Sequence, residues 1–348
     1  MDTGAIIEVD GARPGFDASR CVHADIETAS CRACVDSCPR SAWRLDDAAL
    51  ELDTGCCDGC GLCVPACPRQ AIQMPLVPAC RPLAGTHAML AACERVFGDG
   101  LDAAEEGHVP CLHAIGLSDL LRAYRSGSPV WLVSHADCAA CPRGQGESLF
   151  SRVAHLNTAL RQRGQPTIVV REVSPTAWTG VLEARGEQGP HARRDFFRAL
   201  ARRPAAALLR DAPLAEEDNR SAGEYLPDGD DALMPWVVSL DASRCVGCHA
   251  CARVCPEAAI RFDAADSAYR LRHRACSGCA LCLDVCEYRA ITLQSWAEPK
   301  QSALALTSRR CRSCGVTFHS PLTREAPAEQ CWICAGSQPA RRLYQVMN

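Results

Sequence analysis

Cysteine accounts for 26 of the 348 residues, and nearly all of it is spaced as metal ligands are spaced. Cys57-x2-Cys60-x2-Cys63-x3-Cys67 recurs later as Cys276-x2-Cys279-x2-Cys282-x3-Cys286. Each run has an upstream partner: Cys31-x2-Cys34-x3-Cys38, preceded by Cys21, and Cys245-x2-Cys248-x2-Cys251-x3-Cys255. Near the C-terminus, Cys311-x2-Cys314 and Cys331-x2-Cys334 form two knuckles sixteen residues apart. Two intervening residues let consecutive sulfurs point at one centre, so the chemistry implied is that of thiolates gathered on metal. Disulfide pairing is the competing use. It belongs to oxidising compartments, and the opening "MDTGAIIEVDGARPG" has neither the basic nor the apolar stretch of a secretion signal, so the thiols read as reduced ligands in a soluble, cytoplasmic protein.

The runs belong to a larger internal repeat. "FDASRCV" at 16–22 returns as "LDASRCV" at 240–246, which pairs Cys21 with Cys245 at an offset of 224. Past that point the offset is 217, pairing Cys31, Cys34, Cys38, Pro39, Ala42, Arg44 and Asp46 with Cys248, Cys251, Cys255, Pro256, Ala259, Arg261 and Asp263. The first copy therefore carries seven extra residues between its first two cysteines. In the second runs Gly59, Leu62, Ala71 and Ile72 match Gly278, Leu281, Ala290 and Ile291.

Residues 5–76 and 236–294 resemble the bacterial dicluster ferredoxins, whose C-x2-C-x2-C-x3-C-P run gives three thiolates to one cubane cluster and the fourth to its neighbour. The resemblance implies four [4Fe-4S] clusters with crossed ligands: Cys21, Cys31, Cys34 and Cys67; Cys57, Cys60, Cys63 and Cys38; Cys245, Cys248, Cys251 and Cys286; Cys276, Cys279, Cys282 and Cys255. Two features depart from the pattern, the widened Cys21–Cys31 gap and Glu287 in the place of the usual proline. Four zinc sites are the alternative, but zinc prefers paired knuckles to three cysteines in a row with a distant fourth. Cys56 breaks the register and is read as a non-ligand.

Between the two units the pattern changes. "PVWLV" (129–133) and "TIVVRE" (167–172) read as buried strands, Leu149, Val153, Leu156 and Leu160 recur at helical spacing, and "SDLLRAYRSG" (118–127) reads as a helix ending at glycine. Strand–helix alternation implies a small α/β domain with a parallel sheet, and the carboxyl ends of such strands are where sites form. The stretch from Cys111 to Gly164 resembles the delta subunit of methyl-viologen-reducing hydrogenases, which carries an iron–sulfur cluster. From this come Cys80, Cys111, Cys138 and Cys141 as ligands of a fifth cluster, [4Fe-4S] or [2Fe-2S]. Small buried hydrophobes, or a Cys138-x2-Cys141 dithiol switch, are the alternatives. Cys93, among Ala91, Ala92 and Val96, reads as helix core, and His135 as a ligand or a hydrogen-bonding neighbour.

Residues 204–235, with "EEDN" and "PDGDD", read as a linker. The C-terminal four-cysteine site reads as a zinc ribbon, with rubredoxin-type iron as its alternative. The fold expected is α+β: two ferredoxin-like dicluster domains (1–78 and 236–298) flanking a small α/β domain (79–203), then the linker and a zinc-ribbon tail (299–348). Net charge is −4, and basic pairs such as Arg193-Arg194, Arg202-Arg203 and Arg309-Arg310 are scattered, so nothing calls for nucleic acid. No apolar run is long enough to span a bilayer. Gly144-Gln145-Gly146 is too short a signal for a nucleotide loop. The function expected is an electron-transfer subunit between a large redox-enzyme subunit (hydrogenase, formate dehydrogenase, a molybdenum or tungsten enzyme, or a heterodisulfide-reductase-like complex) and a ferredoxin or flavoprotein carrier. The alternatives are an enzyme with its own site in the middle domain, a redox sensor and a cluster-assembly factor.

Overall fold

The computed structural model describes residues 13–46, 50–76, 78–83, 86–96, 107–143, 147–183, 220–322 and 329–336. Gly144-Gln145-Gly146, residues 204–219 of the expected linker and the two arginine pairs at 193–194 and 202–203 lie outside them.

Two small units repeat one plan. In the first, Gly15–Phe16 pairs antiparallel with Ile72–Gln73, and Trp43–Leu45 pairs with Leu50–Leu52. In the second, Met234–Leu240 pairs with Ile291–Ala297, and Ile260–Asp263 with Ala268–Leu271. Each unit holds two one-turn helices at matching positions, Ala33–Asp36 and Cys63–Ala66 or Ala250–Val254 and Leu281–Asp284, and the first adds a third, Val22–Asp25, in its insertion. Proline limits two of these turns. Cys67 and Cys255 precede one and take extended backbone (ψ 110° and 107°), which ends the helix just before the fourth cysteine turns away.

The middle domain is an α/β sheet in the order Ala79–Leu83, Thr86–Cys93, Val130–Ser134, Val169–Glu172. The last three strands run parallel, and His108–Val109 adds a short parallel bridge at Ala92 and Cys93. Ala79–Leu83 is antiparallel, so the sheet is mixed at one edge and not wholly parallel. Side chains alternate across it. Ala88, Leu90 and Ala92 pack with Trp178 on one face, while Ala91, Cys93, Trp131 and Val133 meet the helix Leu149–Gln162 on the other through Leu149, Val153, Leu156 and Leu160. The helix at 117–125 ends at Ser126, and Gly127 takes the left-handed φ of +85° that closes it.

Three sequence expectations change here. Cys93 ends a strand instead of sitting in a helix: alanine-rich 88–92 has helical propensity, but a strand covered on both faces selects for burial and overrides it. "TIVVRE" is only partly buried, with Ile168 covered and Val169 exposed on the edge strand. Residues 220–235 are not a free linker. Tyr225 and Leu226 are buried in the middle-domain core beside Met234 and Val237, and Ser221 Oγ donates to the Arg274 carbonyl at 2.5 Å.

The C-terminal segment is also built into its neighbour. Ala303–Arg310 pairs with Ala268–Leu271 of the second unit and with Thr317–Pro321, so one four-stranded sheet runs from the second ferredoxin-like unit into the tail. Gly247 (φ +70°) lies under the tail, where a Cβ would stand 2.3 Å from the His319 carbonyl oxygen, and His249 Nε2 sits 3.0 Å from His319 Nδ1. No described helix is long and apolar enough to cross a membrane.

Leu156 is fully buried between helix and sheet. Leu156→Ala is expected to destabilise the middle domain by about 2–5 kcal/mol, read as faster hydrogen exchange at the amides of Val130–Ser134 with exchange in Ile260–Asp263, which packs in a separate core, little changed.

Candidate metal centres

The fourth cysteine of every run is presented by the same turn. Ser41, Gln70, Ala258 and Arg289 all have φ between +47° and +51°. Each donates its N–H to the carbonyl of the cysteine three residues back. The next residue is alanine every time, and its N–H donates to that cysteine's sulfur: Ala42 to Cys38 and Ala71 to Cys67 at 3.3 Å, Ala259 to Cys255 and Ala290 to Cys286 at 3.2 Å. The alanines are buried, so the repeat's matching alanines mark a site with no room for a larger side chain. Glu287 stands where the other runs have proline, yet its turn is the same; the hydrogen bonds define this geometry, and proline only reinforces it.

The first three cysteines of a run wrap around alternating left-handed residues. Gly59 and Gly61, Gly247 and His249, and Gly278 and Ala280 flank the central cysteines of three runs at φ between +64° and +80°. A side chain at Gly278 is also barred, because a Cβ there would stand 2.2 Å from the Trp236 ring. The run with the seven-residue insertion differs: Arg32, between Cys31 and Cys34, has φ −129°.

These turns bring the ferredoxin-type cysteines together in groups. Cys21, Cys31, Cys34 and Cys67 line one cavity with Phe16, Val22 and Ile72. Cys255, Cys276, Cys279 and Cys282 line another with Val238, Ile260 and Leu281. Burial pushes Cys63 up to about 11, and Cys38 and Cys57 act on it as like charges. Burial with Cys245, Cys248 and Cys286 pushes Cys251 up to about 12, and burial with Cys67, Cys31 and Cys21 does the same to Cys34. Thiols raised this far do not ionise unaided, and a metal centre is what compensates four thiolates in an apolar cradle. The donor sets fit cubane iron–sulfur clusters.

The middle domain holds a fifth gathering. Cys93, Cys111, Cys138 and Cys141 line a cavity of about 150 Å³ together with Arg95, His113 and His135. Cys93 ends its strand, Cys111 follows the His108–Val109 bridge, and the other two lie in the loop after Val130–Ser134, so all are at carboxyl ends of parallel strands. Burial pushes Cys111 up to about 11, with Cys93 and Cys138 adding to it. Cys80 is not part of this group. It sits exposed on the antiparallel edge strand, opposite Met89, with its sulfur 3.8 Å from Ser128 Oγ. Met89 is four residues before Cys93, roughly 13 Å away along a strand. Cys93 thus stands where the sequence reading placed Cys80, and the signal was available: a cysteine closing an apolar run that leads to a strand's carboxyl end. His135 Nδ1 is 2.7 Å from the Ala136 carbonyl and 3.7 Å from Cys138 Sγ, a hydrogen-bonding neighbour of the quartet. Cys56 is exposed and outside all the groups.

Arg143 joins this cavity to the first unit. It is 6% exposed; its Nε donates to Asp58 Oδ2 at 3.0 Å, its Nη1 to the Pro110 carbonyl at 2.7 Å, and it pairs with Glu94. Burial alone would raise the Asp58 carboxyl, but the guanidinium holds it below its usual value. Cys60, Leu62 and Cys111 form one buried cluster across this junction.

The C-terminal quartet has a different shape. Cys311, Cys314, Cys331 and Cys334 bring their sulfurs within 4.8 Å of one another, and among the described residues this is the one group of His, Cys, Asp or Glu so tightly drawn. Backbone amides of Cys331 and Cys314 pull the Cys311 thiol down to about 6. That geometry suits a single tetrahedral ion.

Comparison with known families agrees with the two repeated units. Residues 238–293 match the 4Fe-4S dicluster domain, a span containing all eight second-unit cysteines, and residues 50–73 match the 4Fe-4S binding domain. No curated protein matches the chain. The chain thus carries one stretch like the 4Fe-4S dicluster domain and another like the 4Fe-4S binding domain, which supports iron–sulfur clusters in both repeated units.

Metal analysis of Cys314→Ser is expected to show loss of one divalent ion per chain with iron and sulfide retained. Loss of a single iron in its place would mark rubredoxin-type iron at this site, and loss of several iron with sulfide would place a cluster ligand in the tail.

Proposed function

We propose that the protein is a multi-cluster relay that moves single electrons between a large redox-enzyme subunit and a ferredoxin or flavoprotein carrier. Iron–sulfur clusters supply reversible one-electron storage when bound. The chain's own residues insulate and tune them: alanine amides donate to cysteine sulfurs, apolar side chains exclude water, and Arg143 places a positive charge beside Cys60, Cys93 and Cys111.

The observation that carries the reading is the serial packing of the quartets. Cys111 of the middle group touches Cys60 through Leu62. Cys63 and Cys38 share a core with Cys34 and Cys67. Cys21 and Cys31 share one with Cys279, and Cys282 shares one with Cys245 and Cys251. Unbroken succession of thiol groups through five sites is what a conductor needs and an isolated active site does not. The fifth cluster in this reading is held by Cys93, Cys111, Cys138 and Cys141, and the C-terminal quartet holds zinc as a structural closure of the second unit's sheet.

Anaerobically purified protein is expected to contain about sixteen iron for four cubes, and about eighteen or twenty with the fifth cluster. Cys93→Ser should remove the fifth cluster's share and Cys80→Ser should not. A colourless, iron-free preparation, or one silent in low-temperature EPR after dithionite, overturns the relay; equal iron loss from both variants overturns the ligand assignment.

A further inference from the structure

The first ferredoxin-like unit carries seven residues between Cys21 and Cys31 that its repeat lacks, and those residues lie where the two units meet. Val22 and Ala29, at the two ends of the inserted loop, bury Leu281 completely, with Ile26, Cys21, Cys31, Val254 and Cys279 packed around them. Ser30 donates its N–H to Asp284 Oδ2 at 3.0 Å and its hydroxyl to Asp284 Oδ1 at 2.6 Å. The loop is anchored to its own cluster site as well, since His23 Nε2 lies 2.9 Å from the Cys31 carbonyl.

A cation sits in the same junction. Arg69 is 12% exposed; its Nη1 pairs with Asp25 of the loop at 3.1 Å and its Nε faces Glu257 of the second unit at 3.6 Å. Arg69 lines the cavity of Cys21, Cys31, Cys34 and Cys67, and its partner Glu257 lines the cavity of Cys255, Cys276, Cys279 and Cys282. The junction with the middle domain is built alike, from Leu62, the repeat counterpart of Leu281, and from Arg143.

We propose that the insertion between Cys21 and Cys31 is the electrical coupling of the two ferredoxin units: it docks the Cys21, Cys31, Cys34, Cys67 centre against the Cys255, Cys276, Cys279, Cys282 centre, and Arg69 tunes both. This rests on the relay reading. One electron leaves one centre, which is oxidised, and arrives at the other, which is reduced; no bond forms or breaks and no proton moves. The insertion therefore selects which of the possible cluster pairs conducts. In the second unit the corresponding loop is covered by the tail instead, with Gly247 under His319. Arg69 is a positioning and tuning residue, since it ligates nothing.

The test uses full-length, anaerobically loaded protein. Deleting residues 23–29 restores a two-residue gap between Cys21 and Cys31, and Ser30→Ala with Asp284→Ala removes the polar clasp without touching a ligand. Both are expected to keep the wild-type iron content and to lose the dipolar broadening between units in the EPR spectrum of the dithionite-reduced protein. Arg69→Gln removes a cation that favours the more negative reduced state, so two of the midpoint potentials should fall and the rest should stay. Unchanged broadening in the deletion variant, or in the clasp variant if the deletion fails to load iron, overturns the proposal, as does an Arg69→Gln titration that moves one potential or none. Wild-type protein without cubes would instead overturn the relay reading beneath it.

Discussion

Four times in this chain an alanine N–H is aimed at the sulfur of the cysteine four residues before it, across a left-handed residue that turns the backbone back. That contact is the constraint on which the two repeated units depend. Their strands are two to seven residues long and their helices one turn, too little for a stable core of side chains alone. What holds them is the convergence of thiols on common centres, and the turn fixes where the crossing sulfur points. Burial then makes the arrangement conditional: thiols pushed up to about 11 or 12 repel ionisation until a metal centre takes their charge.

The middle domain is stabilised differently and uses its cysteines differently. Trp131, Leu156, Leu160 and Trp178 are fully buried, giving it a core that needs no metal. On that frame the thiols are free to gather at one end of the sheet, where loops from three parallel strands converge. Arg152, itself buried, holds this end in shape by donating to the carbonyls of Ile115, His113 and Glu147. Arg143 then ties this end of the sheet to the first unit, bonding the Pro110 carbonyl beside Cys111 and the Asp58 carboxylate.

Both junctions use one design. A leucine from between two cysteines of a run fills the contact, and a largely covered arginine paired with carboxylates stands beside it. An arginine in such a place favours extra negative charge on both neighbours, which raises their readiness to accept an electron. The guanidinium is held there by charge-assisted bonds in place of the water it has lost. The C-terminal quartet closes the far end, with its strands continuing the second unit's sheet.

Cysteine spacing announced the two repeated units and the tight four-sulfur site near the C-terminus, because short local turns dictate which thiols within a run can converge; the crossed groups are what the resemblance to dicluster ferredoxins implies. The repeat also exposed the seven-residue insertion and the matching alanines, although not what either does. Only the tertiary structure chose Cys93 over Cys80, since membership of the middle group depends on which strand ends at the cavity, and strand order is not written in local spacing. It alone showed Tyr225 and Leu226 buried in what reads as a polar linker. It alone brought Leu281 and Asp284 to Val22 and Ser30, partners some 250 positions apart. Contacts of that span arise from how domains dock, and docking follows the shape and charge of surfaces that exist only after each unit has folded.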